Sequence, residues 1–141
     1  MNTEQEATGL LREAKDDLDS ALRSSNAKEW RTTVLYSQLA IEKSAKAVIS
    51  CVAAFEWTHD PSKQILKLVG AGQLPASLTL MADYAREAAP WHGRSTYGAR
   101  VSDHRQTPSA LCTEQVALDL LGKARICFEK AETFLRGFFA R

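Results

Sequence analysis

The sequence predicts an all-α fold, an up-and-down four- to five-helix bundle in which residues 1–141 form a single domain. Three observations carry that expectation. Apolar residues recur at three- and four-residue spacing along most of the chain. No segment alternates with period two long enough to make a strand of any strength. The breaks between periodic stretches are mostly short, as between antiparallel neighbours in a bundle. A chain of 141 residues can bury about two-thirds of its unfolded surface in one core.

Each element follows from its own residues. Thr3 and Glu6 have the spacing of a capping box. Ala7, Leu10, Leu11, Ala14, Leu18, Ala21 and Leu22 then keep one apolar face until Ser24, Ser25 and Asn26 end the helix. A second helix is expected from about Lys28 to Glu56, with Trp30, Val34, Ser37, Ile41, Ala45, Val48, Val52 and Phe55 on its buried face. At ~1.5 Å per residue it would be roughly 43 Å long. His59, Asp60 and Pro61 read as a helix start, with Asp60 as N-cap and Pro61 at the first helical position. That helix buries Ile65, Leu66 and Val69 and stops at Gly70-Ala71-Gly72. A fourth helix begins near Pro75 to Ser77, carries Leu78, Met81, Ala82 and Ala85, and stops before Pro90, which disfavours helical backbone at Ala89. Residues 90–111 hold two glycines and two prolines without helical period, and read as a long functional loop. A last helix starts at the N-cap Thr113 and runs to about Phe139. Phe138 and Phe139 are adjacent, so they cannot both face one core stripe, which favours a homodimer or a complex.

Composition excludes several classes. The net charge is +1, with 45% apolar and 25% charged residues, ordinary values for a globular protein. No stretch has the apolar length of a membrane span, and the first residues lack the pattern of a secretory signal. Cys51, Cys112 and Cys127 form no CxxC pair and read as free thiols in a reducing compartment, so a cytoplasmic location is expected. The three histidines lie 33 and 12 residues apart without zinc spacing, and no glycine-rich nucleotide motif occurs. Neither metal nor cofactor is expected.

The second helix carries an unusual polar stripe, Gln38, Glu42 and Lys46 at four-residue spacing, with Lys43 one step round. Charge on a core-grade helix is costly unless it is paired or presented in a cleft. Two readings stay open. Lys43 or Lys46 can reach a cleft as phosphate ligands, or Glu42 and Lys46 form an ordinary helical pair, with Glu42 holding an arginine of the loop and fixing its geometry. His59 has the position of a turn histidine bonded to backbone.

These segments together resemble the HEPN domain family. The resemblance rests on LLREAKDDLDSAL, then YSQLAIEKSAKAVI, an aromatic turn, THD opening a short helix, a tyrosine-bearing helix, an Arg/Tyr/Gly loop and ALDLLGKARICFEKAETFL. It covers nearly the whole chain and is densest at QLAIEKSAKA and THD. It implies a helical bundle that commonly dimerises. Many members are metal-independent ribonucleases of toxin–antitoxin or defence systems; others bind nucleotides or partners such as nucleotidyltransferases without catalysis. The nuclease branch places an arginine four to six residues before a histidine, often with a tyrosine beyond. Arg86, His92 and Tyr97 match that spacing and are the implied catalytic residues. Arg94, Arg100, Lys43 and Lys46 are the candidate phosphate ligands, supported by Glu42 and His59. Chemically, a histidine titrating near neutrality can serve as base or acid, and an arginine can hold phosphate bidentately. From Trp91 to Gln106, Arg94, Arg100 and Arg105 face one acid, Asp103, in a small basic patch. The plainer reading has His92 packing beside Trp91. The run Arg94 to Gly98 also matches a signature of members not assigned as nucleases. The function expected is therefore an RNA-binding or RNA-cleaving component, or alternatively a non-catalytic module for a nucleotide or partner protein.

Overall fold

A computed structural model describes residues 3–140. Helix α1 runs Thr3–Asn26, α2 Trp30–Ser50, α3 Ser62–Gly70, α4 Thr79–Ala88, α5 Pro90–Tyr97, α6 Pro108–Leu111 and α7 Glu114–Phe138. A single 3-10 turn, Ala76–Leu78, leads into α4, and two three-residue strands, β1 (Ala99–Val101) and β2 (His104–Gln106), pair antiparallel. The fold is all-α.

α2 is the central helix. It packs against α1 and α7 and also meets α4 and α5. Residues 44–51 are buried on every side, as expected of a helix apolar most of the way round. Ala7, Ala14 and Ala21 recur every seven residues on α1 and are fully buried, so small side chains line that helix's packing face. Ala117, Leu120, Ala124, Cys127, Ala131 and Leu135 supply the matching face of α7. The N-cap of α7 is as expected: the Thr113 side chain accepts a hydrogen bond from the Val116 amide. No helix among the described residues is long and apolar enough to cross a membrane.

Three expectations are corrected. α2 ends at Ser50, six residues before Glu56. Val52 and Phe55 still pack on the core, so their apolar spacing marked burial in a non-helical segment. Gln64 of α3 holds that segment, donating to the Ala54 carbonyl and accepting from the Glu56 amide. Residues 90–111 are not a structureless loop but α5, a small hairpin and α6. Ala89 takes helical backbone (φ −52, ψ −44) despite preceding a proline, because Pro90 is tolerated as the first residue of α5. Glycines and prolines here punctuate short elements. Gly98, at φ +79, returns the chain from α5 into the hairpin, and a Cβ there would collide with the Gln106 carbonyl oxygen. The start of α3 differs by one residue: the helix is counted from Ser62, whose amide is accepted by Asp60 Oδ1.

Candidate site: a stacked histidine pair on a buried carboxylate

Gln38, Glu42 and Lys46 lie one turn apart on α2, so their side chains share a face. All three are buried, Glu42 at 7% exposure. They form a continuous chain of bonds. The Gln38 amide Nε2 donates to Glu42 Oε1 at 3.0 Å, and Lys46 Nζ donates to Glu42 Oε2 at 2.9 Å. Burial alone would raise the Glu42 pKa, but hydrogen bonds from Lys46 and Gln38, the Lys46 charge and a bond from His59 outweigh it and hold the carboxyl below its usual range.

Two histidines from distant parts of the sequence close over this face. His59 comes from the turn before α3, and its Nδ1 lies 3.0 Å from Glu42 Oε1. His92 is the third residue of α5, and its Nδ1 lies 3.1 Å from Gln38 Oε1. The two rings stack with centroids 3.7 Å apart and planes 18° from parallel. The tautomers follow from the acceptors. A carboxylate and an amide oxygen can only accept, so each imidazole carries its proton on Nδ1. In its neutral form, His92 therefore presents a bare Nε2 on the side away from α2. Burial, followed by the nearby His59 and Lys46, lowers the His92 pKa, with Glu42 opposing. The ring is thus held neutral, with a free lone pair, the state a general base requires.

The same groups bring three ligating atoms, from Glu42, His59 and His92, within 4.8 Å of one another. Separations of 17 and 33 residues hid that cluster from any spacing rule. It fits a metal ion poorly. The Lys46 ammonium already neutralises Glu42, both Nδ1 atoms are engaged on protein acceptors, and nearly parallel stacked rings do not converge on one point.

The other expected residues are placed as follows. Lys46 also lies over the Phe55 ring, 5.2 Å from its centroid. Lys43 points to α1, bonded to Asp17 at 2.8 Å and Glu13 at 3.4 Å. Arg94 covers the Trp91 ring at 5.1 Å and is exposed on α5. Tyr97 is 72% exposed at the end of α5. Arg100 sits on β1 opposite Arg105 of β2, on the solvent-facing hairpin. Arg86 is exposed on α4 and pairs with Asp83 at 3.3 Å. Of the expected set, the structure therefore joins His92, His59, Glu42 and Lys46. Gln38, which links His92 to Glu42, was visible in the sequence only as one member of the polar stripe. Arg31 of α2 gave no sequence signal, yet it donates from Nε to the Ser95 carbonyl at 2.7 Å and from Nη2 to the Thr96 carbonyl at 3.4 Å. It thereby satisfies free carbonyls in the last turn of α5, where a cation is favoured.

Residues 7–135 match the family model for the HEPN domain. No curated protein and no solved structure matches the chain.

Proposed function

The chain belongs to the HEPN family, and from that premise we propose that it binds RNA and cleaves it without a metal ion, His92 acting as base. HEPN membership supports an RNA-related or nucleotide-binding role. The single observation behind the finer reading is the bonded chain His92–Gln38–Glu42–His59, with the two rings stacked 3.7 Å apart. His92 Nε2 takes the proton from a ribose 2′-hydroxyl, and the 2′-oxygen attacks the adjacent phosphorus. The bond from phosphorus to the 5′-oxygen breaks. That oxygen receives a proton from His59, which the Glu42 carboxylate holds through Nδ1. The products are a 2′,3′-cyclic phosphate and a 5′-hydroxyl. Exposed Arg94, on the same short helix as His92, is the cation for the phosphate. Tyr97, at the end of that helix, is available to stack on a base. Arg100 and its hairpin extend the basic surface.

A second reading rests on Arg86. Its guanidinium is paired with Asp83, and this favours a non-catalytic module that grips a nucleotide or a partner protein, such as a nucleotidyltransferase, with the same imidazoles and arginines. On either reading, a toxin–antitoxin or defence setting in the cytoplasm is our assignment. So is a homodimer formed through Phe138, which is 46% exposed beside Phe134 and Phe139.

The deciding experiment is cleavage of total tRNA in a chelator by wild type, His92→Ala and Arg86→Ala, each checked for folding. Loss in His92→Ala with intact folding supports the nuclease. Retention in Arg86→Ala assigns phosphate binding to Arg94. An inert wild type leaves the binding module.

A further inference from the structure

The chain leaving α2 and the first turns of α1 border an open cavity of about 520 Å³. That volume lies within the range of pockets for small organic ligands. Its lining includes Glu6 from α1 and Ser50, Val52, Phe55 and Trp57 from the opposite wall. Two features set it apart from an ordinary surface hollow. Trp57 is 94% exposed, and its ring meets the edge of Phe55 with centroids 5.6 Å apart. An indole left in water so completely is a stacking surface without an occupant. Ser50 is only 3% exposed, and its hydroxyl oxygen has no hydrogen-bond partner among the described residues. Ser37 and Ser44 share that condition deeper in α2, but Ser50 is the one that lines this cavity. A buried hydroxyl without a partner is costly; its oxygen has almost no accessible surface, so a ligand's polar atom would meet it once the side chain rotates.

The cavity is linked to the histidine cluster through its wall and the chain that leaves it. Phe55, in its wall, lies under Lys46, which holds Glu42. Trp57 precedes His59 by two residues. A flat ring, a buried hydroxyl and a carboxylate beside a phosphate-handling centre match a nucleobase rather than a lipid tail or a peptide.

We propose that this cavity is a base subsite: it receives one nucleobase of a single-stranded RNA whose phosphate lies at His59 and His92. The base stacks on Trp57, meets Ser50 at its inner edge, and offers an exocyclic amino group to Glu6. The inference rests on the RNA reading above. It implies that cytosine is preferred to uracil, because the two differ where an amino donor is replaced by a carbonyl acceptor.

The test is fluorescence anisotropy with labelled single-stranded hexamers of cytidine and of uridine. Wild type, Trp57→Ala, Trp57→Phe and Glu6→Gln are compared in chelator over a range of salt. Truncating so exposed a residue leaves the fold intact. Trp57→Ala should weaken cytidine-hexamer binding roughly tenfold or more, with an unchanged salt slope, and Trp57→Phe should restore most of it. Glu6→Gln should abolish the cytidine preference. Equal affinity of wild type and Trp57→Ala overturns the subsite while leaving phosphate binding at the histidines standing. Wild type that binds neither hexamer refutes the RNA reading itself. A dimer that becomes monomeric on Trp57→Ala assigns this face to a second copy and also overturns the subsite.

Discussion

The two sides of α2 solve the problem of a charged residue in opposite ways. Toward α1, Lys43 reaches the rim of the interface and pairs with Asp17 and Glu13, its side chain 25% exposed. The rest of the buried α1 face is mostly alanine and leucine, with the Ser24 hydroxyl bonded to Thr33 of α2. Toward α3 and α5, one residue earlier in sequence, Glu42 is enclosed and receives bonds from Lys46, Gln38 and His59. Charge on the first side is an accessory of packing. On the second side packing is arranged around the charge, which is what fixing two imidazoles requires.

The sharpest way to break this contrast is truncation of each residue. Glu42→Ala strips a buried ammonium of its partner and should cost about 3 kcal/mol, seen as a melting temperature lower by about 10 °C. Equal melting of Glu42→Ala and Lys43→Ala would erase the distinction. On the proposed mechanism His92→Ala should lower RNA cleavage by about 10²-fold and lower the melting temperature by less than Glu42→Ala does, since it removes one hydrogen bond to Gln38.

Acidity sharpens the comparison further. Glu42 and His92 are both lowered from their ordinary values, 4.5 and 6.5. At these two sites the folded state binds fewer protons than the unfolded one, so they lower stability on acidification, His92 below about pH 6.5 and Glu42 below about 4.5, while Asp17, raised by burial, opposes the second step. On the proposed mechanism cleavage requires neutral His92, so its rate should rise with pH along a limb centred below 6.5. Glu42→Gln removes the anion that favours protonated His92 and should move that limb to still lower pH; movement the other way would refute the assigned base. The smallest effect belongs to Lys43→Ala, below about 1 kcal/mol, with cleavage unchanged.

How much of this could be read from the sequence differs between the same two sides. The faces of α1, α2 and α7 were legible because burial imposes a 3.6-residue period, and Thr113 marked the start of α7 through its short polar side chain. Glu42 and Lys46 stood out because charge interrupts that period. Their partners did not stand out, since no local rule joins residue 38 to 92 or 42 to 59. Val52 and Phe55 misled because burial looks alike in a helix and in a packed turn. Residues 90–111 misled because elements of three to eight residues are too short to show a period.

Arg31 and Gln38 both hold α5 from α2, one at the carbonyls of Ser95 and Thr96, the other at His92. These bonds span 64, 65 and 54 residues of chain. During synthesis, α1 and α2 emerge well before the helix they fix. A nascent chain that ends between residues 59 and 92 therefore holds Glu42 and His59 but lacks the base. On the proposed chemistry the protein cannot attack RNA, including that of the ribosome making it, until α5 has docked. The fold itself delays the activity until synthesis of this region is complete.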